Sequence, residues 1–258
     1  MDILPKDQEP EENVFSFNST ISWGISDETL FMELMAKAQT LVSPGFYLGD
    51  NLFTWGRNNS LFSDRQFVEA FQSNIMNDSD VTIAWRRYIL ATSAYHCVQL
   101  EGDFVECGVY WGTGIKTVVD YLGRLQFTKT FWGYDTYDYH PEEDHNFDAQ
   151  QQGFFEQVKA RFTEYNQVRL IKGLLPDILT EYCPDKIAYL HIDLNSAKYE
   201  VAVLEYLFDL VVSGGMIILD DYEWAAYRPQ KIAEDKFFNA RQYRVIPLPT
   251  GQGLLIKR

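Results

Sequence analysis

The stretch IAYLHIDLNSAKYEVAVLEYLFDLVVSGGMIILDDY, residues 187–222, constrains this chain more than any other. Its first six residues are apolar apart from His191, as in a strand buried on both faces of a parallel sheet. Val201, Leu204, Leu207, Phe208 and Val211 then share a helical spacing, and Ser213, Gly214 and Gly215 predict the end of that helix. Residues 216–219 read as a second buried strand. Asp193 closes the first strand, and Asp220 with Asp221 closes the second. A right-handed crossover makes the two strands parallel, so the three acids reach one edge of the sheet, where open α/β sheets take their ligands. A single Asp after a strand is more often a turn residue or a helix cap. Three together repel one another unless something positive lies between them, and a hard divalent cation is the expected occupant.

Upstream, GDFVECGVYWGTGIKTVVDYL predicts a strand over residues 104–107 with Glu106 near its end. Gly108, Gly112 and Gly114 allow a tight turn and close approach to a ligand, and Ile115, Val118, Val119 and Leu122 begin a helix. A strand, a glycine-rich turn and a helix amino terminus make a nucleotide-type pocket, although such glycines also occur in plain turns. Residues 131–134 predict a second strand. Asp135 ends it, placed to accept hydrogen bonds from a ribose diol. A third strand over residues 168–171 leads into Lys172, Gly173, Leu174, Leu175 and Pro176. After the opening unit come a helix over residues 227–239, with Pro229 in its first turn, and a hairpin-like pair at 243–247 and 253–256. Five parallel strands and such a pair predict an α/β fold with a seven-stranded, mostly parallel sheet.

The first hundred residues lack this rhythm. Asp27 and Asp64 start helices, and residues 85–88, Trp-Arg-Arg-Tyr, read as a packed face with snorkelling basic stems. We therefore expect a tail and helical cap over residues 1–100 and the core over 101–258. The ring-rich segment 46–60 and the acidic segment 136–152 are expected to be irregular lids over the pocket. The net charge of -15 argues against nucleic acid or an anionic membrane as partner. Cys97, Cys107 and Cys183 are odd in number and far apart, which fits reduced thiols in a cytoplasmic protein. The amino terminus lacks the basic and apolar regions of a signal peptide.

FVECGVYWGTG, FWGYDTY, IKGLLPDIL, LHIDLN and GGMIILDDY, in this order, resemble the class I S-adenosylmethionine-dependent O-methyltransferases related to the macrocin, mycinamicin and novobiocin sugar enzymes. The likeness covers roughly residues 50–258. It implies a Rossmann-like class I methyltransferase fold and S-adenosylmethionine as cofactor. It also implies that Glu106, Gly108, Gly112 and Gly114 border the methionine part, that Asp135 holds the ribose, and that Gly173 and Leu174 lie beside the adenine. Asp193, Asp220 and Asp221 match metal ligands, with Mg²⁺ expected and Mn²⁺ or Ca²⁺ as alternatives. The implied acceptor is a sugar, glycan precursor or other small molecule with adjacent hydroxyls. One residue departs from the pattern: Asn195 stands where the sugar enzymes usually carry an Asp assigned as general base, and Asn cannot take a proton. His191 is then the leading base, unless metal binding alone acidifies the hydroxyl. A nicotinamide-dependent oxidoreductase and a non-catalytic cofactor-binding protein are the competing readings, and assembly into a homo-oligomer is left open.

Overall fold

The computed structural model describes residues 25–42, 45–138 and 151–258. Part of the expected acidic lid, residues 139–150, lies outside the described residues. Helix α1 (Glu28–Leu41) starts at Asp27, whose side chain accepts from the Leu30 N–H at 2.9 Å. Strands β1 (Tyr47–Gly49) and β2 (Leu52–Thr54) follow as an antiparallel hairpin, where an irregular lid was expected. The reason is its turn: Asp50 and Asn51 both take positive φ, 50° and 51°, as a two-residue hairpin turn of matching twist requires. Helices α2 (Ser60–Ser63), α3 (Arg65–Gln72), α4 (Asp78–Val81) and α5 (Ala84–Cys97) complete this region.

The parallel strands are β3 (Asp103–Cys107), β4 (Phe131–Asp135), β5 (Val168–Lys172), β6 (Ile187–Ile192) and β7 (Val211–Leu219). With β8 (Ile246–Pro247) and β9 (Gly253–Ile256) they form one sheet in the order β5-β4-β3-β6-β7-β9-β8. Only the β7–β9 and β8–β9 pairings are antiparallel. The order runs outward from β3 on one side and from β6 on the other, so a crevice opens between them at the carboxyl edge. β7 begins five residues earlier than expected. Ser213, Gly214 and Gly215 lie inside it, where the ladder to β6 shifts register between Ile187 and Tyr189, and Gly214 takes φ +83°.

Helices α6 (Thr113–Tyr121), α7 (Phe154–Arg161), α8 (Ala197–Leu207) and α9 (Arg228–Ala240) cover the sheet on both faces. Val105, Cys107, Leu190 and Ile192 pack with Val203 and Leu204 of α8 and Phe237 and Phe238 of α9. The alternate residues Phe104, Phe131 and Tyr189 pack on the other face with α6, α7 and Leu90, Ala94 and Cys97 of α5. α5 is therefore part of the layer that covers the sheet, and the expected boundary at residue 100 runs between its last turn and β3. Its outer side meets a third cluster built from Tyr47, Leu61, Phe67 and Phe71. No helix among the described residues is long and apolar enough to cross a membrane.

Candidate active site

Strand alternation decides which side chains meet at the carboxyl edge. Phe104, Tyr189 and Ile218 face α5, so Glu106, His191 and Asp220, each two residues further on, point the same way. Asp193 follows His191 by two. His191 consequently sits between two acids, with Nδ1 3.0 Å from Oε2 of Glu106 and Nε2 3.4 Å from Oδ1 of Asp220. Burial opposes a charged imidazole, but the hydrogen bonds and charges of Asp220 and Glu106 outweigh it and raise His191 to about 10. It is 1% exposed and does not line the cavity. His191 is thus a buried cation that ties β3, β6 and the end of β7 together. The expectation that it is the general base is corrected, because both ring nitrogens are engaged.

Glu106, Gly108, Gly114, Asp135, Gly173, Leu174 and Asp193 line one cavity at this edge together with Asn195 and Tyr199. Gly112 is the left-handed residue that starts α6 and is not among the lining residues. A Cβ on Gly108, which has φ +90°, would fall 1.8 Å from the Asp193 carbonyl oxygen, so only glycine lets the turn after β3 touch the end of β6. Asp135 accepts the backbone N–H of Val109 and of Tyr110 at 2.8 Å each, and that of Tyr137 at 2.7 Å. The acid expected at the ribose therefore also holds the glycine turn in place. Arg87 lines the cavity too, and its buried Nε has no hydrogen-bond partner among the described residues. Asp193 is partly open to the cavity, and burial followed by the charges of Asp220 and Asp221 raises its carboxyl well above the usual range.

Arg86 corrects one part of the reading of residues 85–88 as a packed face with snorkelling stems, because its charged head does not reach water. It lies one turn ahead of Leu90 on the stripe Leu90, Ala94 and Cys97 that meets the sheet, so its side chain enters the core at the acid cluster. It is 6% exposed. Nη1 donates to Oδ2 of Asp220 at 2.6 Å, and Nη1 and Nη2 both donate to Oδ1 of Asp221 at 3.3 Å. Nε donates to the Thr250 carbonyl at 3.2 Å, and the guanidinium lies 4.8 Å from the Trp224 ring centre. Burial works against the Arg86 charge, but Asp220 and Asp221 more than offset it and hold the group protonated. In return, although burial alone would raise Asp220, Arg86 and His191 take its carboxyl below the usual range.

These contacts test the expected divalent cation. Such an ion needs carboxylate oxygens turned toward a shared open space. Oδ1 of Asp220 already receives Gln252 Nε2 at 2.8 Å and faces His191, while Oδ2 receives Arg86. His191, Asp193 and Asp220 do bring one ligand atom each within 4.8 Å of one another. That cluster is also a hydrogen-bonded charge network in which both oxygens of Asp220 are already engaged. The positive charge that Asp220 and Asp221 require is present, and it is a guanidinium.

Sequence reasoning missed Arg86, Arg87, Asp50 and Gln252. Asp50 accepts the N–H groups of Trp85 and Arg86 at 2.9 and 3.0 Å and anchors the start of α5. Nothing local announces that contact, since the partners are 35 and 36 residues away. A groove of about 750 Å³ is walled by Asp50, Trp224 and Thr250, the residues that also surround Arg86.

With this geometry established, the chain can be compared with known proteins. The model of the macrocin-O-methyltransferase (TylF) family matches residues 90–246. Among solved structures, the O-methyltransferase NovP aligns over 90% of this chain and 99% of its own, with TM-score 0.57 and 20% identity. CalS11, a calicheamicin methyltransferase, aligns over 83% of this chain and 98% of its own, with TM-score 0.56 and 15% identity. Cofactor-bound Rv0187 from MTB aligns over 78% and 91%, with TM-score 0.51 and 12% identity. No curated protein sequence matches this chain.

Proposed function

This chain belongs to the macrocin-O-methyltransferase family and is an S-adenosylmethionine-dependent O-methyltransferase; on that premise we propose that its acceptor is a hydroxyl of a sugar or a sugar-bearing small molecule. The family assignment sets aside the nicotinamide oxidoreductase and the non-catalytic binding protein. The observation that carries the site reading is that Asp135, the glycine turn and Asp193 share one cavity. CalS11 is described as a TDP-rhamnose 3'-O-methyltransferase, which supports a sugar hydroxyl as the acceptor class.

When bound, S-adenosylmethionine supplies a methyl group already activated by its sulfonium; the O–C bond forms as the S–C bond breaks, with the electron pair kept by sulfur. The chain's own residues must orient the partners and remove one proton. Asp135 and the turn from Gly108 to Gly114 would hold the ribose and methionine ends. Arg87, the cavity-lining cation whose Nε has no partner among the described residues, is suited to the methionine carboxylate. Gly173 and Leu174 would flank the adenine. Asp193, the carboxylate that opens into this cavity, would take the proton of the attacking hydroxyl.

Calorimetry with S-adenosylhomocysteine and, separately, NADH tests the cofactor site; binding of the first alone is expected. Mass spectrometry of nucleotide sugars and free glycosides incubated with isotope-labelled cofactor then reads the acceptor class. Labelled methyl on a sugar oxygen is the expected product. Transfer only to phenolic or carboxylate acceptors would overturn the sugar reading.

A further inference from the structure

We propose that Arg86 is the built-in cation of the acid cluster, held in the place where a divalent ion would otherwise bridge Asp220 and Asp221, and that this chain transfers methyl groups without a divalent metal. The proposal rests on the site reading above.

Four independent features fix the guanidinium there. The helical stripe delivers it, because Arg86 shares a face with Leu90, Ala94 and Cys97. Its own backbone is anchored, since its N–H donates to Oδ1 of Asp50 at 3.0 Å. Its Nε is taken by the Thr250 carbonyl and its face lies by Trp224, so the plane cannot swing away without losing both. Its two terminal nitrogens then meet Asp220 and Asp221 together.

A divalent ion bridging Asp220 and Asp221 would have to displace this group or lie against it. Displacement leaves a guanidinium buried without its anions, which is strongly unfavourable. Coexistence puts a dication against a side chain that carries its charge at any working pH. Gln252, which is fully buried, reinforces the arrangement by donating to the remaining face of Asp220. Arg86 is accordingly a positioning residue: it neutralises and orients Asp220 and Asp221. Deprotonation of the acceptor is left to Asp193.

The test uses the full chain with Mn²⁺ as probe, followed by electron paramagnetic resonance in the presence and absence of saturating S-adenosylhomocysteine. Calorimetry of S-adenosylhomocysteine itself is run on the same samples, so a failed cofactor reading shows separately. The wild type is expected to leave the free-ion signal unchanged at equimolar Mn²⁺. Arg86→Met, which keeps an apolar stem and removes the charge, is expected to gain Mn²⁺ affinity by at least about tenfold, and adding Asp221→Asn to it should abolish the gain. Stoichiometric Mn²⁺ binding by the wild type would overturn the proposal. So would an Arg86→Met variant that binds S-adenosylhomocysteine normally and gains no ion. If Arg86→Met fails to fold, the wild-type titration still decides.

Discussion

Oε2 of Glu106 and Nδ1 of His191 lie 3.0 Å apart across the parallel pair β3 and β6, in register and almost wholly buried. This bond explains why a histidine stands in an otherwise apolar strand. Replacing His191 with Ala leaves Glu106 and Asp220 facing each other without the cation between them, and removing one partner of a buried pair costs about 3–5 kcal/mol. We expect the urea midpoint of His191→Ala to fall accordingly. A variant with unchanged stability and lost methyl transfer would restore the base assignment.

Asp135 has two tasks, and one substitution probes both. Asp135→Ala removes three accepted backbone hydrogen bonds from the turn after β3 and the start of the segment after β4. Each is worth on the order of 1 kcal/mol, so S-adenosylhomocysteine affinity should fall at least several-fold. Hydrogen exchange at Val109 and Tyr110 should accelerate in the unliganded variant. Unchanged exchange there would show that the acid serves only the ligand.

Gly114 faces Glu106 and Arg87 across the cavity. A Cβ at this position would come 3.1 Å from Arg87 Nη1 and from Glu106 Oε2, a crowding that a flexible guanidinium can relieve. Gly114→Ala should therefore fold, with a change in stability of about 1 kcal/mol or less, because alanine favours the helix that begins here. Its cofactor affinity should drop by about tenfold, because Arg87 is pushed from its place. Calorimetry that finds equal affinity in both proteins would remove Gly114 and Arg87 from the cofactor site.

Helices α8 and α9 meet at two buried acids, Glu200 and Glu234. Oε1 of Glu200 accepts the Leu194 N–H at 3.1 Å and Gln230 Nε2 at 2.9 Å, while Glu234 faces Glu200 carboxyl to carboxyl. Burial raises Glu234 from 4.5 to about 7. Between those two values the folded chain holds a proton that the unfolded chain releases, so stability falls as pH rises through this window. Glu234→Gln has no such proton and can donate an N–H to Glu200. Urea unfolding at pH 5 and pH 8 should show the variant close to wild type at the lower pH and more stable by about 1–3 kcal/mol at the higher. A wild-type pH slope retained in the variant would place the titration elsewhere.

Much of the architecture was legible because it rests on local periodicity. The apolar run at 187–192, the helical spacing after Asn195, and Glu106 and Asp135 at strand ends each follow from side-chain direction, which backbone geometry sets within a few residues. Where a glycine could stop a helix or sit inside a bulged strand, as at Ser213 to Gly215, sequence alone chose wrongly: the ladder to β6 decides between the two. The hairpin at β1 and β2 was likewise hidden, because Asp50 and Asn51 serve equally well in an irregular loop.

The sequence by itself determined that Asp193, Asp220 and Asp221 end neighbouring parallel strands and that such a group of acids needs a positive charge. Which charge answers that need was decided only in the tertiary structure. Arg86 and Asp220 are 134 residues apart. Their meeting depends on α5 lying across β3, β6 and β7 with Arg86 at its sheet-facing end, on Asp50 anchoring that end, and on Thr250 and Trp224 orienting the guanidinium. None of those partners is close in sequence, and electrostatic attraction acts on distance in space, which the order of residues along the chain does not record.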